Sequence, residues 1–366
     1  DNEGSMWVGS YFGGINYYPY PYTYFEKYYS ERNGNFGKRI REFCESNDGS
    51  VWIGTEDKGL FHFDPESGVI EPFEHPSIFH NVHGLCLDGD YLWVGTFSGN
   101  LCRIHLPTKR LKQYPKENVM SICKTSSGTL LIGTIQGLFR FNYGTDDFIP
   151  VLPLSNRNIN HILEDSRGDL WVSTYANGVY QYNVRQKSWK NFCYRKNDSS
   201  SLQSDKVTSV FEDSKKRIWV LTQGGGACLY NPDGPGFTCY DSAYGFPGNT
   251  VYRMEEDTKK NLWLTTNQGL ILFNPEEDYR QIYTTEDGLL LSNQFNYQSS
   301  YKDKKGCIYF GGINGFIIFD PATFTEKKGD PPIVITDLFL YNKPARVGVT
   351  GSPLDKSILF TDRIVL

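Results

Sequence analysis

Ten side chains of this sequence combine residue types that bind ligands with a shared place in a repeating pattern. They are Arg41, His83, Phe97, Asn160, Tyr175, Gln223, Tyr252, Arg253, Asn267 and Asn296. Aromatic rings offer apolar platforms, whereas Asn, Gln, His and Arg offer the few hydrogen bonds that orient a ligand. Because this composition is typical of a specificity site, we predict that these residues bind a ligand and that none of them is catalytic.

Two other interpretations of the polar residues compete with ligand binding. Each residue by itself could hold water and cap the end of a strand, because buried polar groups need hydrogen-bond partners. His83, His161, Glu42 and Arg253 could also serve general acid–base chemistry with a metal ion. The chain has no His-x-x-x-His spacing, no Gly-x-Ser-x-Gly elbow and no phosphate-binding glycine loop. We therefore predict no metal site and no cofactor.

A motif with a central tryptophan repeats along the chain and indicates the elements that carry these residues. Two clear copies are residues 49–55 (Gly-Ser-Val-Trp-Ile-Gly-Thr) and 168–174 (Gly-Asp-Leu-Trp-Val-Ser-Thr). The Trp or its equivalent stands at positions 7, 52, 93, 131, 171, 219, 263 and 309, so the copies are 38 to 48 residues apart. A period of this size with a Trp-bearing strand is typical of β-propeller blades.

Each period contains four short segments with the composition of strands. In the period that begins at Ile159, they cover residues 159–165, 170–174, 178–183 and 189–193. Blades packed around an axis bury both faces of each sheet, so the tryptophans are predicted to form the core between blades.

Acidic and cysteine residues also recur with the period. The acidic residues of the first turn are interpreted as turn chemistry: Asp48, Asp88, Asp165, Asp213, Asp257 and Asp303. The aligned cysteines are interpreted as small buried hydrophobic residues: Cys44, Cys86 and Cys123 in inner strands, and Cys193 and Cys239 in fourth strands.

The predicted fold class is all-β, a β-propeller of four-stranded blades followed by the truncated start of a β-sandwich. Seven complete modules begin near residues 39, 82, 119, 159, 207, 251 and 295. The last module has no obvious fourth strand, which residues 24–29 could supply to close a ring of seven. A ring of eight blades is the alternative.

The domain boundaries follow from the same pattern. Residues 1–329 are assigned to the propeller, and residues 1–20 of them are interpreted as the tail of a preceding module. Residues 330–366 are assigned to the start of an Ig-like domain, with strand-forming segments at 333–341, 357–361 and 364–366.

The candidate residues are expected at one face of the ring. Loops between second and third strands, which contain Phe97, Tyr175, Gln223 and Asn267, share a face with the loops that enter the inner strands. One position near the start of the inner strands reads Arg41, His83, Met120, Asn160, Thr208, Tyr252 and Asn296. The next position reads Glu42, Gly84, Ser121, His161, Ser209, Arg253 and Tyr297. Since these strands are otherwise apolar, the polar side chains are predicted to face the mouth of the central channel.

Composition and charge exclude two classes of protein. No run approaches 18 apolar residues, so no transmembrane helix is predicted within this chain. The net charge is −5 and the Lys and Arg residues are scattered, so no basic patch for nucleic acid is indicated.

The repeat Glu-Asp-x-x-Gly-x-Leu-Trp-Val-x-Thr, followed by Gly-Val or Gly-Leu, resembles the two-component regulator propeller repeat. The resemblance is clearest at residues 164–179 and 47–60. Residues 331–366 are similar to the opening of the three-tyrosine domain that follows such propellers. Leu131 and Tyr309 depart from the repeat, because they replace its Trp.

This resemblance implies the periplasmic sensor region of a hybrid two-component system. In that family, two propellers precede the sandwich-like domain, a helix in the inner membrane and a cytoplasmic histidine kinase. The resemblance implies a glycan-derived oligosaccharide as ligand, control of polysaccharide-utilisation genes, and a homodimer of full-length sensors. It implies membrane contact only through segments outside this chain. Two alternatives stay open: a propeller enzyme similar to the streptogramin lyases, and a propeller that binds other proteins.

Overall fold

The computed structural model of the protein describes residues 6–11, 14–18, 24–75, 80–234, 236–290 and 295–324, and residues 338–340, 343–345, 347–348, 353–354 and 356. The chain divides into two compact units, Asp1–Thr323 and Phe324–Leu366. In the described ranges of the first unit, the regular structure is β-strand except for single-turn 3-10 helices at Thr285–Asp287 and Pro321–Thr323.

Three strands precede the first complete blade. Strands β1 (Met6–Ser10) and β2 (Gly14–Tyr18) form a two-stranded antiparallel sheet, and β3 (Glu26–Tyr28) follows.

Seven four-stranded sheets form the propeller. Blade 1 contains β4 (Ile40–Glu45), β5 (Val51–Thr55), β6 (Gly59–Asp64) and β7 (Val69–Pro72). Blade 2 contains β8 (Val82–Asp88), β9 (Tyr91–Thr96), β10 (Leu101–His105) and β11 (Arg110–Tyr114). Blade 3 contains β12 (Val119–Lys124), β13 (Leu130–Thr134), β14 (Gly137–Asn142) and β15 (Asp147–Ser155). Blade 4 contains β16 (Ile159–Glu164), β17 (Leu170–Thr174), β18 (Val179–Asn183) and β19 (Ser188–Phe192).

The remaining blades complete the ring. Blade 5 contains β20 (Val207–Glu212), β21 (Ile218–Thr222), β22 (Ala227–Asn231) and β23 (Gly236–Tyr240). Blade 6 contains β24 (Val251–Glu256), β25 (Leu262–Thr266), β26 (Gly269–Asn274) and β27 (Tyr279–Tyr283). Blade 7 contains β28 (Phe295–Lys302), β29 (Ile308–Gly312) and β30 (Gly315–Phe319), and its outermost strand is β3.

Closure between β3 and β30 confirms the seven-bladed ring. Tyr28 pairs with Phe316 in the antiparallel register, and their rings stack with centroids 4.7 Å apart. Each inner strand contacts the next one, and β28 contacts β4, so the ring is continuous. An outermost strand taken from the start of the chain holds the first and last blades together, because the ring cannot open without breaking that pairing.

The tryptophans of the complete blades form the core between blades, as predicted. Trp93, Trp171, Trp219 and Trp263 are at most 1% exposed. Trp219 packs in one cluster with Phe246 and Phe273, which come from the neighbouring blade and its entry loop. The tryptophan motif is therefore accounted for by packing.

Five of the six acidic residues of the first turn accept backbone N–H bonds within the turn, as predicted, and three of them also bind the tryptophan. Asp88 differs from the prediction, because its carboxylate binds Lys124 and Tyr143 of blade 3. In blade 4, Oδ1 of Asp165 accepts the backbone N–H groups of Arg167 and Asp169, both at 2.9 Å. Its Oδ2 accepts the indole N–H of Trp171 at 3.1 Å. The same indole bond is present from Trp219 to Asp213 and from Trp263 to Asp257.

The prediction for Cys239 was wrong, because this residue forms a disulfide with Cys228. The two residues are direct register partners on β22 and β23. A pair 11 positions apart has no spacing signature, and only the register of the hairpin brings the thiols together. Among the cysteines of the described ranges, six are free.

The second unit is described at few residues. Its strands β31 (Phe339–Leu340) and β32 (Lys343–Pro344) pair antiparallel. Most of the predicted segment 333–341 and all of 357–361 and 364–366 lie outside the described residues. In the part of the chain that is described, no helix is long and apolar enough to cross a membrane.

Candidate functional site

Six of the seven inner strands carry the same irregularity directly after their first residue. In blade 1, Ile40 pairs with Thr55 and Glu42 pairs with Gly54, so Arg41 is an extra residue in the ladder. The equivalent extra residues are His83, Met120, Asn160, Thr208 and Tyr252. A bulge of this kind bends the strand and changes the direction of a side chain. The polar position found in the sequence is therefore the bulge position of the blades.

Blade 7 has a larger irregularity at the same place. Residues 296–299 lie opposite Gly311 alone, between the pairs Phe295–Gly312 and Ser300–Phe310. Gln298 has a left-handed φ of 56°, and a Cβ on Gly311 would collide with Ser299. A glycine opposite the bulge thus makes room for a loop of polar residues, which no other blade has.

Backbone hydrogen bonds place the predicted loops on one face. The N–H groups of Glu56, Phe97, Tyr175 and Gln223 each donate to a carbonyl in the segment that enters the inner strand of the same blade, at 2.8–3.0 Å. The loops between second and third strands therefore lie beside the bulges, as predicted.

One carboxylate joins the inner strands of blades 7, 1 and 2. Oε1 of Glu56 lies 3.6 Å from Nη1 of Arg41 and accepts a 3.3 Å hydrogen bond from Nδ2 of Asn296. Arg41 Nη1 also donates to Oδ1 of Asn296 at 3.3 Å. Arg41 and Asn296 are 4% and 5% exposed, so these contacts are shielded from solvent. We call Glu56, Arg41, His83 and Asn296 the Glu56 cluster.

His83 is the neutral member of the Glu56 cluster. Burial, with a smaller contribution from Arg41, lowers the pKa of His83 to about 2. Its Nε2 lies 2.7 Å from Oδ1 of Asn81 and 4.0 Å from Glu56, and its ring stacks on Phe97 at 5.2 Å. Since the imidazole is uncharged, its contact with Glu56 is not an ion pair at neutral pH.

Aromatic rings surround the Glu56 cluster at the channel mouth. Tyr252 and Tyr297 meet edge to face at 4.8 Å, and the guanidinium of Arg41 lies 5.4 Å from the centre of the Tyr297 ring. Burial raises the pKa of Tyr297, and Tyr175 adds to this rise through the nearness of its own hydroxyl. Tyr175 itself is 47% exposed. We call Phe97, Tyr175, Tyr252 and Tyr297 the aromatic rim.

Two hydrogen bonds cross the channel between inner strands of blades that are not neighbours in the ring. Nη1 of Arg253 in blade 6 donates to Nε2 of His161 in blade 4 at 2.8 Å. The side-chain amide of Gln298 in blade 7 donates to the backbone carbonyl of Asn160 in blade 4. Glu42 lies near Arg253 and Arg41, and burial raises its pKa to about 7. We call Arg253, His161, Gln298 and Glu42 the channel floor.

Three of the ten candidate residues belong to neither the Glu56 cluster, the aromatic rim nor the channel floor: Asn160, Gln223 and Asn267. The side chain of Asn160 donates to the backbone carbonyl of Val207 at 2.8 Å, as Thr208 does to Val251 at 2.6 Å. These two bulge residues join neighbouring blades. Gln223 and Asn267 lie in the loops of the same face, and within the described ranges no hydrogen bond links their side chains to the cluster.

The candidate set omitted residues that the structure brings into the site. Glu56, Tyr297, Gln298, His161 and Glu42 belong to the cluster, the rim or the floor, although none of them was among the ten. A signal for two of them was available, because the polar run 296–300 (Asn-Tyr-Gln-Ser-Ser) interrupts an inner strand that is mostly apolar in other blades.

Two surface clefts lie away from the channel. One, of about 380 Å³, is lined by outer-strand residues of blades 4 and 5, including Asp169 and Gln181. The other, of about 290 Å³, is lined by residues of blade 2, including Arg103 and His105. Asp169 already accepts hydrogen bonds from Gln181, Asn183 and the N–H of Val184, and Arg103 packs against aromatic rings and Asp146. Because their own neighbours occupy these polar groups, we consider the channel mouth the better candidate.

A metal site would need at least three ligating side chains close together. Within the described ranges, no three His, Cys, Asp or Glu side chains come together as a metal site requires.

Three segments of the chain, in blades 4, 5 and 6, match a family model. Residues 153–176, 201–224 and 245–268 match the model described as "Two component regulator propeller". These segments run from the entry loop through the Trp strand of blades 4, 5 and 6. The match confirms the resemblance seen in the repeat.

A curated relative and two solved structures extend the comparison. The chain is 29% identical over 354 residues to "Histidine kinase P4" of Formosa agariphila, covering 89% of this chain and 25% of the relative. Its fold matches the extracellular domain of a hybrid two-component system from B. thetaiotaomicron, with a TM-score of 0.78 and 22% identity over 95% of this chain and 49% of that one. A streptogramin B lyase matches with a TM-score of 0.64 and 14% identity, over 81% of this chain and 96% of the lyase.

The coverage limits what these matches say. The chain spans about a quarter of the curated relative and about half of the extracellular domain. At 22% and 14% identity, the similarity to the two solved structures establishes a shared propeller fold alone, and chemistry does not follow from fold.

Proposed function

We propose that this chain, which carries two-component regulator propeller repeats, is the ligand-binding propeller of an extracytoplasmic sensor in a hybrid two-component system. We propose further that its ligand is a glycan-derived oligosaccharide and that it binds at the channel mouth. The observation that carries the proposal is the arrangement of the aromatic rim around a buried polar cluster. Sugars present apolar faces and hydroxyl groups together, so they need both kinds of contact.

Buried polar atoms without partners support a ligand at this mouth. They are Arg41 Nε, His83 Nδ1, Arg253 Nε, Gln298 Oε1 and Ser299 Oγ, none of which has a hydrogen-bond partner in the described protein. Unpaired buried polar groups are costly, and each calls for an explanation such as ordered water or a ligand. A polyhydroxylated ligand would bring donors and acceptors to the same place.

Binding at this site is proposed without catalysis. Burial, followed by Arg253, lowers the pKa of His161 well below its usual value, and His83 is likewise neutral. A histidine whose pKa lies this far below 7 cannot act as an efficient proton donor at neutral pH, since catalysis needs a pKa near the working pH. The ligand should therefore be recovered unchanged by mass spectrometry after long incubation, whereas a lyase would release a product of altered mass.

The disulfide supports an extracytoplasmic location. Cys228 and Cys239 link two strands of blade 5, and structural disulfides persist in oxidising compartments such as the periplasm. We therefore propose a periplasmic site of action, with membrane anchoring through segments outside this chain.

The hairpin β1–β2 supports a second propeller upstream. Its Trp7 pairs with position 17 in the register that Trp52 and His62 have in blade 1. Trp7 is 59% exposed, whereas the equivalent Trp52 is 7% exposed. We propose that the hairpin belongs to a blade of a preceding propeller. A chain extended upstream should shift Trp7 fluorescence to shorter wavelength relative to a Trp7→Phe variant, and an unchanged spectrum would count against this.

Calorimetric titration of the sensor's whole extracytoplasmic region with a panel of defined oligosaccharides tests the ligand proposal. We expect one class of oligosaccharide to bind, and Tyr252→Ala to weaken it about tenfold, which corresponds to about 1.4 kcal/mol. Tyr143→Ala, on an exposed tyrosine outside the channel mouth, is the matched control and should bind normally. Absence of heat with every glycan would refute the proposal.

Signalling would require that two copies of the sensor can adopt two different arrangements relative to each other. We propose a homodimer whose geometry the bound oligosaccharide changes, with transcription of polysaccharide-utilisation genes as output. A ligand shifts such an equilibrium only by its difference in affinity for the two arrangements. Light scattering of the whole extracytoplasmic region with and without oligosaccharide measures this, and a monomer under both conditions would contradict it.

A further inference from the structure

Arg253 is a partly buried cation whose contact is with a neutral side chain. Its Nη1 donates to His161, and its Nε is buried without a partner. Because a guanidinium only donates, Nε2 of His161 must accept, and burial keeps this imidazole uncharged. The cation therefore faces a neutral ring.

Two other shielded arginines have a carboxylate, because Arg41 lies 3.6 Å from Glu56 and Arg217 lies 2.6 Å from Asp213. Arg157, like Arg253, has a buried Nε without a hydrogen-bond partner in the described protein. Within the described ranges, no carboxylate lies at ion-pair distance from Arg253. Buried charges are as a rule paired, because an unpaired ion loses its hydration without compensation. Arg253 therefore has no ion-pair partner among the described residues, and an anionic ligand could supply one.

Two buried acidic groups, Glu42 and Glu255, are attracted to Arg253, and burial raises the pKa of both. Glu42 is close enough to Arg253 for attraction, yet burial raises the pKa of this carboxyl to about 7. Around neutral pH, a substantial fraction of Glu42 is therefore protonated. The channel floor therefore carries a net positive charge around neutral pH, since an arginine stays charged at every physiological pH.

The approach to Arg253 is also positive. Arg253 directly follows Tyr252 of the aromatic rim, so it lies one residue further along the inner strand. Two other cations sit against rim rings: Arg41 over Tyr297 at 5.4 Å, and Lys206 over Tyr175 at 5.6 Å. Glu56 balances the charge of Arg41, so Lys206 and Arg253 are the cations that can attract an anionic ligand to this opening.

We propose that the ligand of the channel mouth is an anionic saccharide, whose carboxylate or sulfate group binds Arg253 at the channel floor. This proposal rests on the saccharide-binding function proposed above and specifies its chemical class. A guanidinium can hold two oxygens of such a group in a bidentate fork. Since the Arg253–His161 and Gln298–Asn160 bonds cross the channel and obstruct passage along it, the anionic group is proposed to belong to a terminal sugar that enters end-on.

Small probes test this directly, because a terminal sugar is sufficient. Glucuronate, glucose 6-sulfate and glucose are titrated into the whole extracytoplasmic region at constant ionic strength, by calorimetry and by thermal shift. We expect at least one anionic sugar to bind about tenfold or more tightly than glucose, as charge-assisted hydrogen bonds imply. The two anionic arms separate a uronate ligand from a sulfated one.

Variants of the arginine show whether Arg253 is responsible. Arg253→Met should reduce the affinity for the anionic sugar to that for glucose, and Arg253→Lys should keep part of the preference. Arg185→Met, at an exposed arginine of blade 4, is the matched control and should leave the preference intact. Without ligand, Arg253→Met should melt close to the temperature of the parent, because removal of a shielded cation without an ion pair offsets the lost hydrogen bond to His161.

Two results would overturn the proposal while leaving the saccharide-binding function standing. One is binding of neutral oligosaccharides from the panel with no preference for anionic sugars. The other is an anionic preference that survives in Arg253→Met together with a fall in melting temperature, which would make Arg253 a structural residue. Failure of every saccharide to bind would instead refute the saccharide-binding function itself.

Discussion

The propeller contains two groups of blades that share one four-stranded plan and differ in their contacts: blades 4–6, and blades 7, 1 and 2. Blades 4–6 match the family model, and each has the indole bond between its Trp and the turn aspartate. Serine–glutamate bonds also join them, from Ser166 to Glu212 and from Ser214 to Glu256. In blade 1, by contrast, the indole N–H of Trp52 has no hydrogen-bond partner in the described protein.

The divergent blades contribute most of the polar site. Glu56, Arg41, His83 and Asn296 come from blades 1, 2 and 7, and the enlarged bulge at 296–299 is present in blade 7 alone among the seven. A ring of identical blades would repeat one side chain around its axis, which suits a scaffold. Recognition of one ligand needs different side chains around the mouth. The regular blades still contribute Arg253, Tyr252 and His161 to the rim and the floor. Departures from the repeat therefore mark the Glu56 cluster, whereas the features that all regular blades share mark packing.

The largest effect is expected from removing a regular tryptophan. Trp219→Ala in blade 5 should lower the free energy of unfolding by about 3–5 kcal/mol, because it leaves a cavity between blades. Trp52→Ala in blade 1 should cost about 1 kcal/mol less, since no indole hydrogen bond is lost there. Urea unfolding of both variants measures this, and equal losses would break the distinction between regular and divergent blades.

The turn aspartates extend the same contrast. Asp213 is 2% exposed and accepts bonds from Arg217 and Trp219, so Asp213→Ala should cost about 3–4 kcal/mol. Asp48 of blade 1 binds Ser50 at the surface, and Asp48→Ala should cost less than about 1 kcal/mol. A cost at Asp48 as large as at Asp213 would show that blade 1 relies on its turn as much as blade 5 does.

The channel floor should make stability depend on pH. Burial raises the pKa of Glu42 to about 7 from the 4.5 of an exposed glutamate, while Arg253 and Arg41 oppose this rise. The unfolded state then loses this proton first, so stability falls as pH rises from 4.5 to 7 and levels off above. Relative to Glu42→Gln, the parent should lose on the order of 2–3 kcal/mol across this window. Parallel stability curves for parent and variant would contradict the raised pKa.

The smallest effect is expected at the bonds between regular blades. Ser166→Ala removes the 2.7 Å hydroxyl bond to Glu212 and should cost about 0.5–1 kcal/mol. Ser67→Ala, whose hydroxyl binds Asp64 within an exposed turn of blade 1, is the control and should stay within about 0.5 kcal/mol of the parent. Similar values for both would show that the serine–glutamate bonds do not stabilise the array.

The sequence alone determined the architecture of the propeller. The Trp period, the turn residues and the missing fourth strand of the last module predicted seven blades and the closing role of residues 24–29. These features are local or repeat at a fixed interval, so they can be read along the chain. The bulge position was also visible, because polar residues recur there in strands that are otherwise apolar.

Only the tertiary structure decided which side chains meet. Arg41 and Asn296 are separated by 255 positions and bond because the ring closes between blades 7 and 1. Asn160 shares their aligned position, yet it bonds the backbone of blade 5. The Cys228–Cys239 pairing depends on the register of one hairpin. Local patterns specify strands and turns, whereas contacts across the channel depend on the distances that closure sets, and no periodicity in the sequence encodes those distances.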